Sequence, residues 1–227
     1  MKYIIIGLGN FGASIAEKLT NLGHEVIGVD NDMLKVEAVK DKVSYAICLN
    51  SSDAQAVTGL PLKNTDVVMV CIGEDIAANI MTTALMKKMK VPRLISRSIS
   101  ILHETILEAM GIDEILRPEQ ESAERWVKKL TNSHLIDSFE LSKGFSIIEA
   151  VVPDKFVGKT LEQIALIKNY NVLVLTTIKK TQEKNIIGIT RNVSNVQGVI
   201  TANTIFEKDD IMVLYGKDID IQRVLQE

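Results

Sequence analysis

Three glycines, in the run Gly7-Leu8-Gly9-Asn10-Phe11-Gly12, carry the first chemistry that this sequence suggests. Lacking a Cβ, the first permits a tight turn, the second lets a pyrophosphate approach bare backbone, and the third lets a helix pack closely on a sheet. A helix opening at this loop would aim unpaired N–H groups and the positive end of its dipole at an anion without using a charged side chain. Eighteen residues past Gly12, at the end of a second apolar run, stands Asp30. A carboxylate there accepts hydrogen bonds from ribose hydroxyls and repels a 2′-phosphate, which favours NAD(H) or ATP/ADP over NADP. Asn31 or Asp32 can cap the helix that follows, leaving Asp30 free for the sugar. Asp53, after Asn50-Ser51-Ser52, either reaches the adenine end or caps a short helix of its own.

These residues need a parallel sheet to hold them, and the first half of the chain has the matching pattern. The β-branched run 2–6 is continuous, as in a strand buried on both faces. Phe11, Ile15, Leu19 and Leu22 then recur at helical spacing, and Gly23 can end that helix. Strands are expected at 26–29, 44–49, 66–72, 93–96 and 114–116, with helices near 33–39, 75–89 and 101–110 and a short helical turn at 53–59. Six strands in this alternation imply an α/β fold, a Rossmann-like doubly wound parallel sheet. Pro118 introduces a further helix, 119–130, in which Ala123, Trp126, Val127 and Leu130 share a face and which is expected to close the first domain. Beyond it strand-rich segments at 145–152, 172–178 and 211–215 imply a small α+β C-terminal domain, and the polar stretch 179–203 reads as a hairpin or long loop. The boundary is expected near residue 135, giving domains 1–135 and 136–227.

Composition narrows the function. The chain of 227 residues is 46% hydrophobic and 24% charged with a net charge of -3, which gives no electrostatic reason to expect nucleic acid. Cys48 and Cys71 sit in apolar runs and read as small buried hydrophobes in a reducing compartment. No run approaches the ~18 apolar residues of a membrane helix, and the opening apolar stretch is cut by glycine too early for a secretion signal, so the expected location is the cytoplasm.

A nucleotide site does not by itself imply turnover. None of Tyr3, Tyr45, Tyr170 and Tyr215 is followed four residues later by the lysine of the short-chain dehydrogenase pattern. His24, His103 and His134 read as surface residues rather than catalytic bases. A small NAD-dependent oxidoreductase is therefore the alternative to a non-enzymatic nucleotide-binding protein.

Several separated motifs, IIIGLGNFG, GVDND, DVVMVCIGED and GIDEILRPE, followed by VGKTLEQI, NVLVLTTI and EKDDIMVLYG, occur in an order that resembles the regulator-of-potassium-conductance family, the Ktr and Trk potassium-uptake subunits. The resemblance spans nearly the whole chain. It implies a non-enzymatic regulatory subunit in the cytoplasm, peripheral at the inner face of the membrane, that forms homodimers building a larger ring under a membrane-embedded potassium channel or transporter. It also implies a nucleotide held by Gly7, Gly9, Asn10, Phe11, Gly12, Asp30, Asn31, Ser52, Asp53, Ile72, Gly73, Glu74 and Arg97. Glu119 matches a cation-binding glutamate, for which a hard divalent ion such as Mg²⁺ or Ca²⁺ is suited. The helix bearing Trp126 corresponds to the family's crossover and dimer region. Asn10 stands where family members that discriminate ATP from ADP carry arginine, which puts ATP sensing in doubt. The stretch Ile167-Lys168-Asn169-Tyr170-Asn171 lacks the arginine expected of a cyclic di-AMP site, and that ligand is not expected.

Overall fold

Parallel pairing of apolar runs organises the first unit. Strands β1 (Lys2–Ile6), β2 (Glu25–Asp30), β3 (Tyr45–Cys48), β4 (Val67–Val70), β5 (Leu94–Arg97) and β6 (Glu114–Leu116) form one sheet in the order β3-β2-β1-β4-β5-β6. The order reverses between β1 and β4, and Ile6 lies opposite Val29 on one side and Val70 on the other. In doubly wound sheets ligands bind at that switch point, outside the carboxyl ends of the strands. The sheet is buried on both faces: Ile4, Ile6, Val68, Val70 and Met86 pack together on one, and Ile5, Leu8, Ala16 and Val26 on the other.

The computed structural model describes residues 1–112, 114–131, 134–184 and 190–226, with the backbone alone for 180–184 and 190–193. Helices α1 (Asn10–Asn21), α2 (Met33–Val39), α3 (Ile76–Lys88) and α4 (Ile101–Ala109) connect the strands. Three begin with a side-chain cap: Asp32 accepts from the amide of Leu34, Asp75 from that of Ala78, and Ser100 from that of His103. Helix α1 has no such cap, since its N-cap is Gly9.

Contacts divide the chain into two compact units, Met1–Gln120 and Glu121–Glu227. The division falls in the first turn of α5 (Pro118–Thr131), most of which goes with the second unit. Arg125 grips Asp137 with two nitrogens and Lys128 reaches Glu140, tying the helix to β7 (Leu135–Ser142). The expected stripe on α5 is not core: the helix has no buried residue, and Trp126, Val127 and Leu130 are exposed.

The second unit is an antiparallel sheet in the order β10-β9-β11-β8-β7, formed with β8 (Phe145–Val151), β9 (Leu173–Lys184), β10 (Thr190–Val196) and β11 (Ile211–Lys217). Strands β9 and β10 pair as a hairpin, the first of the two forms expected for the polar stretch; residues 185–189 lie outside the described residues. Helices α6 (Leu161–Ile164), α7 (Leu166–Tyr170) and α8 (Asp218–Gln226) contribute Ile164, Leu166, Ile221 and Val224 to a core completed by Ile148, Met212 and Leu214. Among the described residues no helix is long and apolar enough to cross a membrane.

Candidate nucleotide cleft

A cleft of about 430 Å³ opens at the carboxyl ends of the parallel strands, within the range that holds small ligands. Its floor is the glycine loop. Gly7 has φ +96, and a Cβ there would lie 2.8 Å from the backbone nitrogen of Ile72, so both conformation and space require glycine. A Cβ on Gly12 would lie 1.9 Å from the carbonyl oxygen of Gly7, while one on Gly9 would meet nothing within 4 Å. Gly7 and Gly12 thus close the turn, and Gly9 leaves open room before the first N–H groups of α1.

Asp30 is 8% exposed and holds the loop directly. Its Oδ2 accepts the amide of Leu8 at 2.7 Å and its Oδ1 the amide of Asp32 at 2.9 Å. A carboxylate has about four lone-pair sites. Two remain for a ligand.

Two cations face the cleft, and each is already paired. Lys35 Nζ lies 3.3 Å from Glu74 Oε2, an exposed pair linking α2 to the loop after β4. Arg97, whose side chain is 16% exposed, bonds Glu119 through Nη2, approaches the carbonyl of Cys71 at 3.4 Å through Nη1, and sits 5.6 Å from the centroid of the Phe11 ring. Its buried Nε has no hydrogen-bond partner. A Cβ on Gly73 would come within 2.6 Å of this guanidinium, so the bare backbone there gives Arg97 its place.

The structure brings together most of the residues expected from the sequence. Gly7, Gly9, Asn10, Phe11, Asp30, Asn31, Ser52, Ile72, Gly73, Glu74, Arg97 and Glu119 line the cleft. Gly12 and Asp53 stand outside its wall: Gly12 is packed under Gly7, and Asp53 accepts the amide of Gln55 at 2.8 Å. Lys35, Asn50, Ser51 and Asp75 line it too and were not expected. Asp75 announces itself only as a helix cap, and Lys35 only as the residue one turn past the cap Asp32.

Two expectations are corrected here. Cys48 is exposed, because β3 is the outermost strand of its sheet. His103 is 1% exposed rather than on the surface. Its Nε2 lies 3.2 Å from Asn79 Oδ1, and burial holds its pKa below the usual histidine value. Cys71 is buried as expected, and desolvation pushes its thiol up to about 12 against the opposing pull of Arg97, so it carries no thiolate at neutral pH. Among the described residues no group of three or more His, Cys, Asp or Glu side chains could hold a metal ion, and Glu119 is already occupied by Arg97.

A family model for the TrkA-N domain matches residues 3–118, which includes every wall of this cleft except Glu119. The chain belongs to the TrkA-N domain family. The resemblance to regulator-of-potassium-conductance proteins drawn from the separated motifs is thereby shown. Ktr system potassium uptake protein C of Bacillus subtilis is 31% identical over 222 residues, covering 98% of this chain and 95% of that protein. Ktr system potassium uptake protein A of Vibrio alginolyticus is 31% identical over 174 residues, 77% of this chain and 79% of its own. Among solved structures, the RCK domain of GsuK covers all of this chain and 48% of its own with a TM-score of 0.65 at 14% identity, a likeness of fold.

Proposed function

We propose that this chain is the nucleotide-binding gating subunit of a potassium-uptake system. It acts as a homodimer built into a larger ring, in the cytoplasm, against a membrane-embedded potassium channel or transporter subunit. The observation that carries this reading is the cleft at the sheet's switch point, with Asp30 and the glycine loop on its floor, in a chain whose relatives of nearly equal length are Ktr potassium-uptake proteins. The exposed Trp126, Val127 and Leu130 of α5 supply an apolar face for the dimer contact.

The charges favour NAD(H) over ATP. Asp30, Glu74, Asp75 and Glu119 face the cleft against Lys35 and Arg97, and both cations are paired with glutamates. Asn10 adds no charge at the mouth of α1. A dinucleotide's pyrophosphate suits the helix terminus and one arginine, whereas a triphosphate would bring further negative charge with no cation free to receive it. The GsuK channel has been solved bound to NAD, and the same ligand class fits here.

The test is equilibrium binding of NAD, NADH, ADP and ATP to the purified chain, beside potassium uptake by cells carrying wild type or Asp30→Asn. Binding of an adenine nucleotide and nucleotide-dependent uptake, both lost in the variant, support the reading. Uptake indifferent to deletion of the chain, or robust oxidation of NADH with a panel of carbonyl compounds, would overturn it.

A further inference from the structure

Helix α3 turns a polar face into the interior. Asn79, Thr82 and Thr83 are all fully buried, where a helix against a parallel sheet would ordinarily present apolar side chains. Thr82 Oγ1 pairs with Ser51 Oγ at 3.0 Å, and the other two belong to a network centred on Asn79. Its Nδ2 donates to the carbonyl of Ile72 at 2.8 Å and to that of Arg97 at 3.1 Å. Arg97 is the last residue of β5 and Ile72 lies two residues past the end of the neighbouring β4, and both line the cleft. One amide therefore bridges the end of β5 and the loop after β4, two backbone segments that form a wall of the site.

The two carbonyls also fix which way the amide points, because only the NH₂ group can donate to them. Asn79 Oδ1 must then face Ser96 Oγ at 3.2 Å and His103 Nε2 at 3.2 Å. Thr83 Oγ1 lies 3.0 Å from Ser96 Oγ and 3.4 Å from Asn79 Oδ1, so the two hydroxyls and the amide oxygen form a triangle in which Oδ1 only accepts. An amide oxygen accepts and never donates, which makes His103 the donor and assigns it the Nε2–H tautomer. Its buried Nδ1, which has no partner, is then a bare acceptor and leaves no N–H unsatisfied. The histidine comes from α4, whose first turn also presents Ile101 and Leu102 to solvent.

The geometry points to Asn79 as a positioning residue of the nucleotide cleft, fixed from α4 by His103. It touches no ligand; it holds the loop after β4 and the end of β5 at the separation the ligand meets, and it ties the state of the cleft to α4. This inference rests on the nucleotide-binding reading above.

The experiment measures nucleotide affinity and ligand-free stability together for wild type, Asn79→Ala, His103→Leu, His103→Gln and Leu107→Ala. Leu107 is a fully buried apolar residue of α4 outside the network, so its variant reports the effect of lost stability alone. Asn79→Ala is expected to weaken NADH binding about tenfold or more, and His103→Leu severalfold, as expected for loss of one to two buried hydrogen bonds. His103→Gln keeps a donor within reach and is expected to stay within about twofold of wild type; Leu107→Ala is expected to bind normally at lower stability. Affinity losses that merely track stability, as in Leu107→Ala, would overturn the inference while leaving nucleotide binding intact. Absence of binding by wild type would overturn the reading beneath it. If Asn79→Ala does not fold, ¹⁵N-histidine spectra of wild type decide. The Nε2–H tautomer with a His103 signal that moves on NADH addition is expected, and a signal unmoved at saturation refutes the link.

Discussion

Replacing Asp30 tests the floor of the cleft in two ways at once, because its carboxylate serves the fold before it serves any ligand. In the ligand-free protein Oδ2 holds the buried amide of Leu8 and Oδ1 the half-buried amide of Asp32. Hydrogen bonds to a charged acceptor contribute about 1.5–3 kcal/mol each where buried, and less where water can substitute. Asp30→Ala is thus expected to lower ligand-free stability by about 2–4 kcal/mol, or several degrees in Tm for a chain of this size. Asp30→Asn keeps one acceptor oxygen and turns a donor toward one amide, so its loss is expected to be about half as large. Saturating NADH at a hundredfold excess over Kd adds about 2.7 kcal/mol to a protein that binds it. That increment is expected in wild type and absent from both variants. Urea denaturation with and without NADH measures all the terms. A ligand-free Asp30→Ala within about 0.5 kcal/mol of wild type would refute the clamp, since surface substitutions have effects of that size. An undiminished NADH increment in Asp30→Asn would refute the ribose role.

Three further outcomes follow from the same geometry. Asn10→Arg places a cation at the start of α1, and its affinity for ATP is expected to rise roughly 10- to 100-fold, the value of one charge-assisted hydrogen bond, measured by calorimetry beside NAD. Burial holds the folded pKa of His103 below the value of about 6.5 in the unfolded chain, so its contribution to stability is present above about pH 6.5 and is lost as pH falls from there toward the folded value. Urea titrations between about pH 5 and 8 are expected to show a smaller acid loss in His103→Gln than in wild type. A thiol reagent is expected to label exposed Cys48 quickly and Cys71 only after denaturation, which mass spectrometry of the labelled peptides resolves.

The six strands of the first sheet and the glycine loop were legible because a parallel sheet buries both faces and writes its strands largely as apolar runs. The loop and Asp30 were legible because their spacing follows from one β-α-β unit. What the sequence hid was mostly long-range pairing. Lys35 and Glu74 are 39 residues apart, and Arg97 and Glu119 are 22 apart. Nothing local marks either pair. Periodicity misled where burial depends on a neighbour rather than on the residue: Cys48 lies in an apolar run that happens to be an edge strand, and the stripe on α5 has helical spacing yet no cover in a single chain. Asn79 escaped notice and His103 was read as a surface residue for the opposite reason, since polar residues on a helix suggest solvent unless their partners are known.

Arg97 pairs with Glu119 of α5, and under the proposed function that pairing sets up a competition with the ligand that can be measured. Glu119 is the second residue of α5 and is largely exposed, whereas Arg97 is mostly buried and its Nε lacks a partner. A pyrophosphate entering beside Phe11 would compete with Glu119 for the guanidinium, so binding and the Arg97–Glu119 bond oppose each other. A partly exposed pair contributes about 0–1 kcal/mol. Glu119→Gln is therefore expected to tighten NADH binding by at most about fivefold, since 1 kcal/mol corresponds to that factor. One such site cannot drive a two-state ring. Moving an equilibrium from 1:99 to 99:1 takes about 5.5 kcal/mol of differential affinity, more than one charge-assisted bond supplies. In a ring of the kind proposed above, the small difference at each cleft would have to be summed over several subunits, with the ligand preferring the shape in which Arg97 is released from Glu119. Calorimetry on Glu119→Gln with NADH, with and without Mg²⁺, decides the sign. Tighter binding supports competition, and weaker binding that depends on Mg²⁺ would refute it and return Glu119 to the role of a metal ligand.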